Sequence, residues 1–167
     1  MTHFRVSHVA PLTPTTFQLT LTQLAGGEAF TFVPGQYAAL TFTRFGRRVP
    51  VRCFSIASSA HTPGTIQFGI KIKGKFTQAL STLKVGDTVD VAGPYGSFTL
   101  AGKPDKPTLL LAGGIGITPF MSMIRYMRQP LVVPNRSPWF TASEMPARRH
   151  LPQSSPTFLG DCPISVP

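Results

Sequence analysis

A chain of 167 residues holds one ordinary domain and is too short for two of typical size. With 42% hydrophobic residues, 13% charged residues and 13 Phe, it is not disordered throughout. The 16 Lys and Arg against 6 Asp and Glu give a charge of +10, which favours an anionic partner, but no run of five basic residues occurs and a nucleic-acid-binding arm is not expected. The two cysteines, Cys53 and Cys162, are too few for a disulfide framework or a zinc site, so a reducing, cytoplasmic location is expected. His3, His8, His61 and His150 share no metal-like spacing, and no metal site is expected. The N-terminal segment MTHFRVSHVAPLT lacks the apolar stretch of a signal peptide, and no run of about 20 apolar residues could span a bilayer.

From residue 3 to about 112 the chain reads as short strands punctuated by Pro and Gly. A strand is expected near Phe4 to Val9. Phe17, Leu19 and Leu21 alternate with polar neighbours, as do Ile66, Phe68, Ile70 and Ile72, and each set predicts a half-buried strand. Further strands are expected over Tyr37 to Phe45, Val51 to Ala57 and Thr88 to Ala92, with turns at Gly26-Gly27, Pro34-Gly35, Pro63-Gly64 and Gly93 to Gly96. Six such strands would close a small antiparallel barrel, so the fold class is mainly β. Near residue 107 the pattern changes. Leu109 to Leu111 form a continuous apolar run suited to a buried parallel strand, followed by the glycine-rich AGGIGITP. Thr118 is placed to cap a helix beginning at Pro119, with Phe120, Met123, Ile124 and Met127 at helical spacing. Strand, glycine loop and helix together open an α/β nucleotide-binding domain. After residue 128 both periodicities stop, and eight of the 17 prolines fall in the last 40 residues, which predicts a disordered tail. The expected organisation is a β-barrel over 1–105, one βα unit over 106–128 and the tail over 129–167.

Four segments, in this order, resemble the ferredoxin reductase-like flavoprotein family: PGQY at 34–37, RCFS at 52–55, GKFTQAL at 74–80 and GGIGITP at 113–119. VGDTVDVAGPYGSF at 85–98 is similar to that family's barrel-closing segment, and the resemblance extends from residue 3 to about 127. It implies an FAD-binding barrel of the flavin reductase type followed by an incomplete NAD(P)-binding domain. The family's flavin signature reads here as Arg52, Cys53, Phe54 and Ser55, with Phe54 where a tyrosine is usual. Residues i and i+2 of a strand share a face, so Arg52 and Phe54 can meet one ligand. The resemblance implies that Arg52 pairs with the FAD pyrophosphate and that Phe54 stacks on the isoalloxazine. It makes Ser55 the catalytic residue, hydrogen-bonded near flavin N5. Lys71, Gly74, Lys75, Phe76 and Thr77 complete the expected FAD set, with Thr77 and its neighbouring amides at the start of a short helix, where anions are favoured. Taken by itself, Thr77 also suits a plain N-cap. Gly113, Gly114 and Thr118 lie where the family's nicotinamide nucleotide approaches the flavin, or else form a strand-to-helix turn alone.

The implied activity is transfer of electrons from NADH or NADPH through FAD to an iron-sulfur or haem partner protein, impaired here because so little sequence follows the first βα unit. A flavin- or nucleotide-binding module without turnover is the alternative. An oligonucleotide-binding barrel is the less favoured third reading, because the aromatics are spaced as core alternation.

Overall fold

The computed structural model describes residues 1–100 and 108–128. Its eight strands are β1 (Thr2–Thr13), β2 (Thr16–Gln23), β3 (Tyr37–Thr41), β4 (Thr43–Arg44), β5 (Arg47–Arg48), β6 (Arg52–Ser55), β7 (Thr65–Lys71) and β8 (Thr88–Tyr95). Two helices, α1 (Lys75–Ser81) and α2 (Thr118–Arg128), accompany them, with a 3-10 turn at Gly114–Ile117 ahead of α2. Six strands form one antiparallel sheet in the order β6-β3-β8-β1-β2-β7, and β4 and β5 make a separate hairpin. The two ends of the sheet, β6 and β7, are brought together just beyond β6, where the Ala57 amide donates to the Gln67 carbonyl at 2.7 Å. That bond turns the sheet into a barrel. Closure removes the row of unpaired amides and carbonyls that an open edge would expose.

The period-two alternation places the core. Phe4 and Val6 from β1, Leu19 and Leu21 from β2, Leu40 from β3, Ile66, Phe68 and Ile70 from β7, and Val89 and Val91 from β8 are fully buried inside the barrel. Each contributes about 1.5–3 kcal/mol by leaving water. Leu80 of α1 plugs the same core, and Phe30 meets Phe4 edge to face at 5.6 Å.

Three expectations are corrected by the structure. The strand expected over Tyr37 to Phe45 ends at Thr41, because Phe45 and Gly46 take positive φ (49° and 71°) and build the β4–β5 hairpin. No strand forms at Leu109–Leu111, and Leu109 and Leu111 are 81% and 78% exposed. A parallel strand needs paired neighbours, and no described strand pairs with this segment. Thr118 is the first residue of α2 with helical φ and ψ rather than its cap, and its hydroxyl donates back to the Ile115 carbonyl at 3.0 Å.

Helix α2 lies on the barrel. Phe120 and Met123 are buried, and Phe120 meets Phe98 at 5.7 Å. The other two residues of the expected apolar face, Ile124 and Met127, are only half-buried, and Thr118 and Ser122 take buried places instead. The docking depends on Gly35, whose φ is +103°; a Cβ there would stand 2.0 Å from the Phe98 carbonyl oxygen and 2.6 Å from the Met123 methyl. Gly35→Ala is therefore expected to destabilise the fold by at least about 2 kcal/mol through left-handed strain and backbone collision. Denaturant unfolding checks this, and an unchanged midpoint would mean that the loop shifts aside freely.

Candidate functional site

The short strand β6 carries RCFS, and its register against β3 sets Leu40 opposite Arg52, Ala39 opposite Cys53, Ala38 opposite Phe54 and Tyr37 opposite Ser55. Arg52 and Cys53 are exposed, whereas Phe54 and Ser55 are half-buried. The Arg52 guanidinium makes a bond to its own neighbour, the Val51 carbonyl, at 2.9 Å. By contrast, Arg48 is held by Asp90 at 2.9 Å, and the same carboxylate binds His3 at 2.7 Å.

Across from β6 stands the turn between β7 and α1. Gly74 is the residue ahead of the helix and Thr77 is its third residue, so Thr77 is not a plain N-cap. Its hydroxyl oxygen accepts from the amides of Lys73 (2.9 Å) and Gly74 (3.1 Å) and donates to the Gly74 carbonyl (3.0 Å). Thr77 thus shapes the turn with its own side chain. The amides at the start of α1 lack partners within the helix, as at any helix start. Phe76 stacks on Phe54 at 5.9 Å with 21° between the rings, and meets Phe42 edge to face at 5.6 Å. Phe54 is thereby held from one side by the core.

Arg52, Cys53 and Phe54 on one side and Lys73, Gly74, Lys75, Phe76 and Thr77 on the other line an open groove of about 400 Å³. The structure thus brings together two of the sequence segments expected to share a ligand. No acidic residue lines the groove, and three cations do: Arg52, Lys73 and Lys75. Lys73 is a residue that the sequence reading missed; the alternation Lys71, Lys73, Lys75 was its only signal.

The remaining expected site residues do not line this groove. Ser55 lies one step along β6 beside Tyr37, whose ring is 5.8 Å from that of Tyr95. Lys71 ends β7 opposite Thr16 and is exposed. Thr118 stands against β7, where a Cβ on Gly69 would be 2.9 Å from its methyl. At Gly113 and Gly114 a Cβ would meet nothing within 4 Å, so their backbone faces open space.

A barrel with an exposed arginine and an aromatic on its closing strand, facing a cationic turn at a helix start, defines a nucleotide-holding flavoprotein module. The chain belongs to the oxidoreductase FAD-binding domain family, whose model matches residues 4–100. It is 36% identical over 130 residues to the reductase component of propane 2-monooxygenase from Rhodococcus jostii, a match that covers 75% of this chain and 34% of that protein. It is 31% identical over 137 residues to the flavohemoprotein of Bordetella pertussis, again covering 75% of this chain and 34% of the relative. The chain therefore spans about a third of the length of these relatives. Among solved structures, phthalate dioxygenase reductase superposes with a TM-score of 0.63 at 25% identity, over 75% of this chain and 39% of that one. The Amycolatopsis cytochrome P450 reductase does so with 0.62 at 26%, over 74% and 38%.

FAD is the cofactor of this family, and the groove fits it: three cations without a carboxylate suit a diphosphate, and a half-buried aromatic suits a flat ring.

The three bonds made by the Thr77 hydroxyl predict that Thr77→Val, which keeps shape and loses the oxygen, lowers stability by about 1–2 kcal/mol. Thr77→Ser should restore most of the loss. Equilibrium unfolding of the three proteins side by side decides it, and equal midpoints would show that the turn keeps its shape without the hydroxyl.

Proposed function

We propose that this chain is the flavin-holding part of an NAD(P)H-dependent reductase that feeds an iron-sulfur or haem partner protein. The observation that carries the reading is the acid-free groove in which β6 and the Lys73–Thr77 turn present cations and an aromatic to one ligand. Arg52 neutralises the FAD diphosphate with a planar fork, and Lys73 and Lys75 add charge from the opposite wall. Gly74 gives the phosphate close access, since a Cβ there would meet nothing within 4 Å, and the amides at the start of α1 add donors. The part of Thr77 is to hold that turn, through the bonds its hydroxyl already makes. Phe54, fixed from behind by Phe76, offers its free surface to the flavin ring; a phenylalanine keeps the stacking of a tyrosine and gives up its hydroxyl. Cys53 borders the groove, Lys71 contributes charge at the end of β7, and Ser55 is the residue assigned to the neighbourhood of flavin N5.

When bound, FAD accepts a hydride equivalent and releases electrons singly. Gly113, Gly114 and Thr118 supply the approach for the nicotinamide nucleotide, supported by the open space in front of both glycines. Phthalate dioxygenase reductase, a modular structure for electron transfer from pyridine nucleotides to [2Fe-2S], supports this division of labour. Donor, acceptor and whole-protein activity are carried over from relatives of which this chain matches about a third. A reducing, cytoplasmic setting agrees with the free, exposed Cys53 beside the flavin groove. No helix among the described residues is long and apolar enough to cross a membrane.

The purified chain is expected to be yellow and to release FAD rather than FMN on denaturation; a colourless protein that cannot be reconstituted with FAD would sink the reading. Arg52→Ala should weaken FAD binding by about 1.5–3 kcal/mol, roughly 10- to 150-fold, while Arg47→Ala, on the exposed hairpin, should matter little. A flavin titration distinguishes the two, and equal effects would mean that Arg52 does not hold the phosphates.

A further inference from the structure

Helix α2 follows the glycine loop, yet its best-made polar contacts go to the point where the barrel closes. The Ser122 hydroxyl, fully buried, donates to the Ser58 carbonyl at 2.7 Å. The Arg125 guanidinium donates from one nitrogen to the Ala57 carbonyl at 2.8 Å and to the Gln67 side-chain oxygen at 3.0 Å. Ala57 and Gln67 are the two residues whose backbone bond joins the β6 end of the sheet to β7, and the Gln67 amide in turn donates to the Ser58 hydroxyl at 3.1 Å. The next residue of the helix, Tyr126, stacks on His61 at 4.2 Å with 6° between the rings, in the loop that connects the same two strands. Three successive contacts of one helix thus fall on the segment 57–61.

We infer that Ser122 and Arg125 are positioning residues: they latch the closing seam of the barrel and so fix β6, the strand that carries Arg52 and Phe54, in its flavin-holding place.

Three features make this more than ordinary packing. First, β6 has only four residues and is paired on one side alone, to β3, so the carbonyls beyond it need donors from elsewhere. Second, the donors come from a segment outside the stretch that the FAD-binding family model matches, residues 4–100. Third, Arg125 is partly buried, and that burial lowers its pKa from the usual arginine value. It is held by a backbone carbonyl and a side-chain amide oxygen. Charge-assisted bonds of this kind are short and directional, which suits a seam that must hold one register. The glycine loop at 113–116 runs directly into α2. The segment proposed to meet the nicotinamide nucleotide and the strand proposed to hold the flavin are therefore joined through a single helix.

The flavin arm of the test rests on the function proposed above; the closure arm does not. In the full 167-residue chain, amide hydrogen exchange and FAD titration are compared for the wild type, Ser122→Ala, Arg125→Met and the double variant. Arg125→Lys serves as the conservative change, and Arg128→Met, an exposed cation on the same helix, as the control. The double variant should speed exchange in segments 56–59 and 65–69 at least about tenfold while leaving β1 and β2 unchanged, and should raise the FAD dissociation constant by roughly tenfold. Arg125→Lys should recover part of both effects, and Arg128→Met should change neither. Unchanged exchange at the seam, or faster exchange spread evenly over the barrel, overturns the latch. Faster exchange at the seam with FAD affinity intact overturns the positioning role. If the wild type itself fails to take up FAD, the flavin reading falls, and the exchange arm alone still decides whether α2 closes the barrel.

Discussion

The structure depends on closing a six-stranded sheet on itself. A sheet of this size has two edges, and every unpaired amide or carbonyl left in a dry edge costs more than a hydrogen bond returns. Here the two edge elements are unequal: β7 has seven residues and β6 only four. The seam therefore lies beyond β6, at Ala57 and Gln67, and needs side chains as well as backbone: the Ser58 hydroxyl from within, Ser122 and Arg125 from outside. The core, the place of β6 and the placement of α2 all follow from that solution.

Charge shows a similar economy. With 6 Asp and Glu against 16 Lys and Arg, most cations cannot each have an acid of their own, and the described ion pairs converge on Asp90, which does not line the groove. Cations clustered without carboxylates repel one another, an arrangement that an anionic ligand relieves.

Much of the barrel was legible because alternation is a local signal. Phe17, Leu19 and Leu21, or Ile66, Phe68 and Ile70, announce their inward face without knowledge of a partner, and they lie in the core as expected. Elements whose state depends on a distant partner were not legible. Leu109 to Leu111 have the composition of a buried strand, yet composition supplies no neighbour to pair with. Helix α2 was legible as a helix from its spacing, but not in its orientation. Apolar periodicity favours Ile124 and Met127, whereas the barrel seam offers oxygen acceptors that draw Ser122 and Arg125 inward. The groove was legible in part. The RCFS pattern marks Arg52 and Phe54, but that Phe76 backs Phe54, and that Lys73 faces Arg52 across the groove, depends on how the turn after β7 folds over the strand.

The strand order carries a consequence for how the chain reaches this state. Strands β1 and β2 are neighbours both in sequence and in the barrel, and β6 meets β7 at the seam, but β1 must also find β8, as Phe4 pairs with Val89, and β3 must wait for the same strand to complete its pairing. Long-range pairings of this kind carry loop-closure entropy before any contact rewards it, which slows folding relative to a chain of hairpins. On the ribosome the β1–β2 hairpin can form at once and β3 can pair with β6, but the gap between β3 and β1 stays open until residues 88–95 have emerged. Strand β8 is then the last piece of the barrel to be secured, and until that moment the facing edges of β1 and β3 are open to association with other chains.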